Sequence, residues 1–204
     1  MTCTLYSRKN TGGLAVEAAL AKSGAAYTVK ELTRTDQQSP DFRAINPLGH
    51  VPAMVMPGGS VMTESAAMVM HLANLYPDAG LAPRPGTPAH GAFLRWMLFM
   101  AVDLYESSLR STYSARYTTD PAGAPGVKAA AAVRMARCFK VIESALDPFV
   151  CGKALSIADV YLAMLTEWSP SPLNTAKFIA LRKAVNDDPH YGPVWRDHLV
   201  KPGT

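Results

Sequence analysis

The sequence is poor in cysteine: three residues in 204, at Cys3, Cys138 and Cys151. They lie far apart without regular spacing, so they supply neither a disulfide framework nor a zinc-binding pattern, and no metal site is expected. Each reads as a small buried apolar residue, and such usage fits a reducing, cytoplasmic setting. Long apolar runs are also missing. No segment approaches the ~18 uninterrupted apolar residues of a membrane span. The opening Met1-Thr2-Cys3-Thr4-Leu5-Tyr6 has no basic stretch leading into an apolar run, so no signal peptide is read there. Charged residues make up only 18% of the chain, with a net charge of +4. The basic residues are dispersed rather than clustered, which argues against a nucleic-acid interface and leaves a mild field favourable to small anions. No internal repeat is present. What the chain does have is 49% hydrophobic residues, enough for a sizeable core.

Punctuation by Gly and Pro divides that apolar content. Thr4-Leu5-Tyr6 begins a short strand. Ser7 to Gly13 is a loop, with Asn10, Gly12 and Gly13. An Ala- and Leu-rich helix runs from Leu14 to Lys22 and stops at Gly24. Tyr27 to Leu32 is a second strand, so a helix links two strands that can pair in parallel. Asp41 to Ile45 holds a helical turn. Ala53–Met56 and Val61–Met62 flank Pro57-Gly58-Gly59-Ser60 as a hairpin. Ser65 is placed to cap a helix in which Met68, Val69, Leu72 and Leu75 recur at helical spacing. The prolines and glycines between residues 78 and 88 mark a linker. Beyond it the pattern is helical throughout: 89 to about 117, 127–147, 156–167, 174–185 and 190–199. The expected domains are 1–77 and 89–204.

Three local motifs stand in this β-α-β-β-α order. Asn46-Pro47-Leu48-Gly49-His50-Val51-Pro52-Ala53 precedes the third strand. Thr63-Glu64-Ser65 begins eleven residues after Pro52. Ser156-Ile157-Ala158-Asp159 opens a helix in the C-terminal half, with Ser and Asp at capping-box spacing. Taken together they resemble the cytosolic glutathione transferases, over nearly the whole chain. The resemblance implies an α/β thioredoxin-like N-terminal domain and an all-α C-terminal helical bundle. It also implies that the bond equivalent to Val51-Pro52 is cis and turns the Val51 backbone toward the peptide backbone of glutathione, which pairs with it like an added strand. Ser65 and the helix N-terminus then hold the γ-glutamyl carboxylate, and Glu64 accepts from the ammonium. His50 is placed to donate to the glycyl carboxylate.

The activating end departs from part of the family. Where bacterial enzymes of the beta class place a catalytic cysteine, this chain has Gly12, and residues 7–13 contain no cysteine. The remaining candidates for the group that stabilises the thiolate are Ser7 and Asn10, then Thr11, then Tyr6. The resemblance places an electrophile site along the first helices of the C-terminal domain, where Met97, Met100, Tyr105, Tyr113 and Tyr117 suggest an apolar lining with hydroxyl handles. It further implies that glutathione is the co-substrate, that a small hydrophobic electrophile is its partner, and that the protein is a two-fold homodimer without nucleic-acid or membrane partners. A non-catalytic binding protein or a stress-regulatory interaction module of the same fold is the alternative.

Overall fold

In β1 (Cys3–Ser7), Cys3, Leu5 and Ser7 are buried, while Thr4 and Tyr6 on the opposite face are half-buried. That alternation is the period of a strand in a sheet covered unequally on its two sides. In the computed structural model, which describes residues 2–199, the chain leaves β1 through a short loop into α1 (Gly13–Ser23). Leu14, Ala15, Val16, Ala18, Ala19 and Leu20 of α1 are buried, and Gly24 ends it in the left-handed conformation at φ 71°. A crossover returns the chain to β2 (Tyr27–Glu31), parallel to β1 with Cys3 opposite Tyr27 and Ser7 opposite Glu31. Ser39 then caps α2 (Pro40–Ile45), accepting from the Phe42 N–H at 3.2 Å. β3 (Ala53–Val55) runs antiparallel to β1, and β4 (Val61–Met62) antiparallel to β3, giving the order β2-β1-β3-β4. α3 (Ser65–Leu75) packs beside α1. Leu5, Leu14, Leu20, Met54, Met68 and Leu72 are fully buried in this region, each worth about 1.5–3 kcal/mol of apolar burial.

The second half is helical: α4 (Pro88–Phe99), α5 (Glu106–Thr112), α6 (Ala124–Ala145), α7 (Ile157–Glu167), α8 (Ala176–Asp187) and α9 (Tyr191–Leu199). Every residue of α7 from Ile157 to Thr166 is buried, the mark of a helix enclosed on all sides. Its start is a capping box. The Asp159 carboxylate accepts from the Ser156 N–H at 2.8 Å, the Ser156 hydroxyl at 2.7 Å and the Val150 N–H at 2.7 Å.

The expected single helix over 89–117 is four pieces. α4 passes into a π-helical stretch, Met100–Tyr105, and α5 stops at Thr112 before a 3-10 turn, Ser114–Tyr117. The widened turn carries Asp103, which pairs with Arg134 of α6. α5 contains Ser107, Ser108, Ser111 and Thr112, weak helix formers that compete for backbone hydrogen bonds.

The described residues form two compact units: 2–82 with 185–199, and Pro83–Ala184. The first break lies inside the linker read at 78–88. The second differs from the sequence expectation of one domain over 89–204. α9 packs on α1 and so belongs with the sheet. Met1 and residues 200–204, which those expected domains included, lie outside the described residues.

Candidate active site

Strand register brings the first two motifs together. β1 and β3 are antiparallel with Tyr6 opposite Ala53, so the end of β1 and the start of β3 share one end of the sheet. β3 and β4 are antiparallel with Met54 opposite Met62, so the chain leaving β4 toward Glu64 and Ser65 emerges there too. α1 and α3 both start from that end. Two helix N-termini, each carrying a partial positive charge, therefore lie beside the Val51–Pro52 segment. Neither helix has a side-chain cap hydrogen bond at its N-cap residue, Gly12 for α1 and Glu64 for α3. Neither has an acidic residue in its first turn.

Val51–Pro52 is cis, as is Asp147–Pro148. β3 begins at Ala53, so the sheet ladder starts after Val51. Val51 is half-buried and Pro52 buried, while the His50 side chain is exposed. The Asn46 amide donates to the His50 carbonyl at 2.7 Å and fixes the loop. Gly49 has φ 66°, and a β-carbon there would come within 2.7 Å of the Gln37 carbonyl, so glycine is needed on both counts.

At the start of α3 the structure corrects one expectation. Ser65 is not the cap: it is the first helical residue, buried to 7% exposure, and Glu64 occupies the N-cap position. Glu64 has φ 64° and ψ 100°, a conformation that an L-residue with a β-carbon adopts at a cost. Its side chain is exposed.

The four activation candidates separate by the pleat of β1. Ser7 faces α1, and its Oγ lies 1.8 Å from where a β-carbon on Gly13 would stand, so the hydroxyl fills the space that glycine leaves. Ser7 is 2% exposed, with a long 3.5 Å contact from its hydroxyl to the Arg8 carbonyl. Tyr6 faces the other side of the sheet, 5.7 Å from the Phe42 ring, and its hydroxyl accepts from Lys30 at 3.4 Å. It points away from the start of α1. The Thr11 hydroxyl donates to the Arg8 carbonyl at 2.6 Å and accepts from the Gly13 N–H at 3.4 Å, a local turn. Asn10 is exposed just before α1 at φ 54°, a region that asparagine tolerates better than other L-residues.

Sequence reading missed two donors. Arg8 Nε and Gln37 Nε2 are buried without a hydrogen-bond partner among the described residues. Arg8 directly follows β1, and the Gln37 backbone abuts Gly49. Buried donors normally find partners, so these two are exceptions. Burial depends on long-range packing, and no sequence pattern signals it.

The residues expected to line the electrophile site have different surroundings. Met97 and Met100 are fully buried, which corrects their expected role: they offer a ligand no surface and serve as core. Tyr105, half-buried, packs 6.3 Å from Tyr161 and edge-on to Trp168 at 5.1 Å. The Arg116 guanidinium stacks 4.3 Å over Tyr113, and Arg110 lies 5.3 Å over the exposed Tyr117. Burial first, then the Glu106 charge, pushes the Tyr117 hydroxyl pKa up, so it remains a neutral donor. Burial drives the Cys151 thiol up to about 12, and it raises Cys3 and Cys138 as well, which makes all three poor nucleophiles. Among the described residues no helix is long and apolar enough to cross a membrane, and no three His, Cys, Asp or Glu residues converge as a metal site.

A β-α-β-β-α unit with a mixed four-stranded sheet, followed by a helical unit, is a thioredoxin-like domain joined to an all-helical one. Residues 15–83 match the family "Glutathione S-transferase, N-terminal domain". Glutathione S-transferase GstA of Escherichia coli O157:H7 is 26% identical over 170 residues, covering 81% of each chain. Two solved structures share the fold. A glutathione transferase homologue from Sulfitobacter with bound glutathione has a TM-score of 0.88 and 24% identity, over 98% of this chain and 99% of that one. The bacterial beta class glutathione S-transferase of Sphingomonas chungbukensis has a TM-score of 0.82 and 22% identity, over 97% of this chain and 100% of that one. Residues 15–83 thus match that family's N-terminal domain, and the chain as a whole shares the glutathione transferase fold.

Proposed function

We propose that the protein is a glutathione-conjugating enzyme that activates the thiol without a cysteine, with Asn10 as the donor to the thiolate. The observation that carries this reading is the strand register that sets the starts of α1 and α3 and the Val51 backbone at one end of the sheet. In this reading the glutathione backbone pairs with Val51 as an added strand. The γ-glutamyl carboxylate lies at the start of α3 with Ser65, Glu64 accepts from the ammonium, and Arg8 or Gln37 finds an acceptor in the glycyl carboxylate. His50 remains at the rim as a second donor to that carboxylate.

The thiol then falls near the start of α1. A cysteine thiol titrates near ~8.5, and each unit of depression needs ~1.4 kcal/mol of preferential thiolate stabilisation. A hydrogen bond to a charged acceptor supplies about 1.5–3 kcal/mol, and a helix N-terminus about 0.3–1 kcal/mol more. One amide donor with the helix end is therefore sufficient for a drop of about two units. Among the four candidates, Asn10 alone combines exposure with a place directly before α1. Ser7 acts through packing instead.

The test is the thiolate absorbance of bound glutathione against pH. The wild type should show a depressed thiol pKa. Asn10→Gly keeps the left-handed backbone and removes the amide, so it should raise that pKa by about one unit with little change in binding. An unmoved pKa would remove Asn10 from the mechanism. A second reading, glutathione binding without turnover, is favoured by the enclosed Ser7 and the committed Thr11 hydroxyl. Retention on immobilised glutathione, with no conjugation of any electrophile in a broad panel, would establish it. The second substrate is taken to be a small hydrophobic electrophile, and the setting cytoplasmic. A two-fold homodimer is expected, and exposed Leu94, Leu98 and Val102 form an unpaired apolar stripe at helical spacing. Sedimentation at micromolar concentration should show a dimer.

A further inference from the structure

We propose that α9 is a clasp on α1, and that Asp197 is a positioning residue for the loop carrying Asn10. The catalytic consequence rests on the reading just given, but the clasp itself does not. Three polar ties join α9 and the residues before it to α1 and the residues before that helix. Lys22, in the last turn of α1, donates to Asp188 at 3.1 Å, just ahead of α9. Glu17, midway along α1, meets His198 at 2.8 Å. Lys9, in the loop between β1 and α1, pairs with Asp197 near the end of α9. The order of the contacts makes the helices antiparallel, so the end of α9 reaches the start of α1.

Burial falls from the anchors to the tip. The His198 side chain is 2% exposed and Glu17 13%, whereas Lys9 and Asp197 are 33% and 57% exposed. Tyr27 stands close enough to Glu17 for its hydroxyl to be pushed up by burial first and by that charge second. The start of α9 is fixed separately. Asp188 accepts from the N–H groups of His190 and Tyr191, both at 2.9 Å. Gly192 lies so close to the Asn186 carbonyl that a β-carbon would approach to 2.1 Å. An isolated exposed ion pair contributes little, because ordering two long side chains offsets the attraction. Here α9 is already pinned by its buried contacts, so Asp197 is presented to Lys9 at no further backbone cost. Lys9 adjoins Asn10, so the pair restrains the segment that must hold its donor in place.

The experiment uses the full-length protein without ligand, comparing Asp197→Asn, Asp197→Glu and the charge swap Lys9→Asp with Asp197→Lys. Amide exchange across residues 9–13 should quicken in Asp197→Asn by about two- to fivefold, the range for an exposed pair. Glutamate and the swap should restore it, and high salt should bring the wild type toward the Asp197→Asn rate by screening. Exchange unchanged in Asp197→Asn, or quickened but not restored by the swap, overturns the clasp. In turnover, Asp197→Asn should lower kcat and raise the thiol pKa of bound glutathione while leaving KM unchanged. A loss in KM alone would overturn the positioning role. If the wild-type thiol pKa shows no depression, the glutathione-activation reading and the positioning role fall together, and loop exchange still decides the clasp.

Discussion

Replacing Glu64 by glycine should make the protein more stable and worse at binding glutathione. Glu64 sits at φ 64°, ψ 100°, at the N-cap of α3. A left-handed conformation costs a residue with a β-carbon about 1–2 kcal/mol, and glycine escapes that cost. Glycine also gains freedom in the unfolded chain, which returns about 0.5–1 kcal/mol. The net gain is about 0.5–1 kcal/mol, or roughly 1–4 °C in Tm for a chain of this size. On the binding side, the carboxylate's hydrogen bond to the ammonium is worth about 1.5–3 kcal/mol, and its loss should weaken affinity roughly 10- to 100-fold. Glu64→Ala separates the two effects. It keeps the β-carbon and the strain, so it should lose affinity without gaining Tm. Calorimetric titration and thermal melts on both variants check this. Wild-type affinity in both would remove Glu64 from the ligand site, and a Tm unchanged in Glu64→Gly would refute the strain argument. The expected opposition, with function holding a costly backbone in place, is the usual signature of a strained site residue.

Other outcomes follow from the same geometry. Ser65→Ala should weaken glutathione binding by about 1–2 kcal/mol, the scale of one hydrogen bond to a charged group, measured by calorimetry. Unchanged affinity in a folded variant would remove Ser65 from the site. Asp188→Ala should destabilise the protein by about 1–2 kcal/mol near neutral pH through loss of the α9 cap. That difference should depend on pH. Burial alone would raise the Asp188 pKa, but the N–H groups of Tyr191 and His190 together with Lys22 outweigh it and hold the carboxyl below its ordinary value. Its stabilisation is thus complete above the unfolded value of about 3.9 and is lost as pH falls through the lower folded value. Denaturant titrations should show the gap between wild type and Asp188→Ala constant from neutral pH down to about 5 and closing below that. A gap that widens on acidification would contradict the assignment.

The sequence by itself determined what local interactions control. Gly24 ends α1 because the chain needs a left-handed residue there, and Ser156 with Asp159 starts α7 across three residues. The strand and helix order through residue 76 and the linker ahead of Pro88 followed from the same short-range chemistry. The motif at Val51–Pro52 and the Glu64-Ser65 pair were legible as a resemblance, while strand register placed them at one sheet end. Tertiary structure decided the rest. Glu17 is a visible charge in an apolar helix, but its partner His198 lies 181 residues away. Nothing within a helical turn could assign α9 to the sheet. Tyr6 and Ser7 are neighbours in sequence, and the pleat of β1 sends only Ser7 toward α1. Met97 and Met100 carry the apolar pattern of a pocket wall and of a core alike, and only packing distinguished them. A pattern records that a side chain avoids water, whereas the structure determines whether protein or ligand covers it.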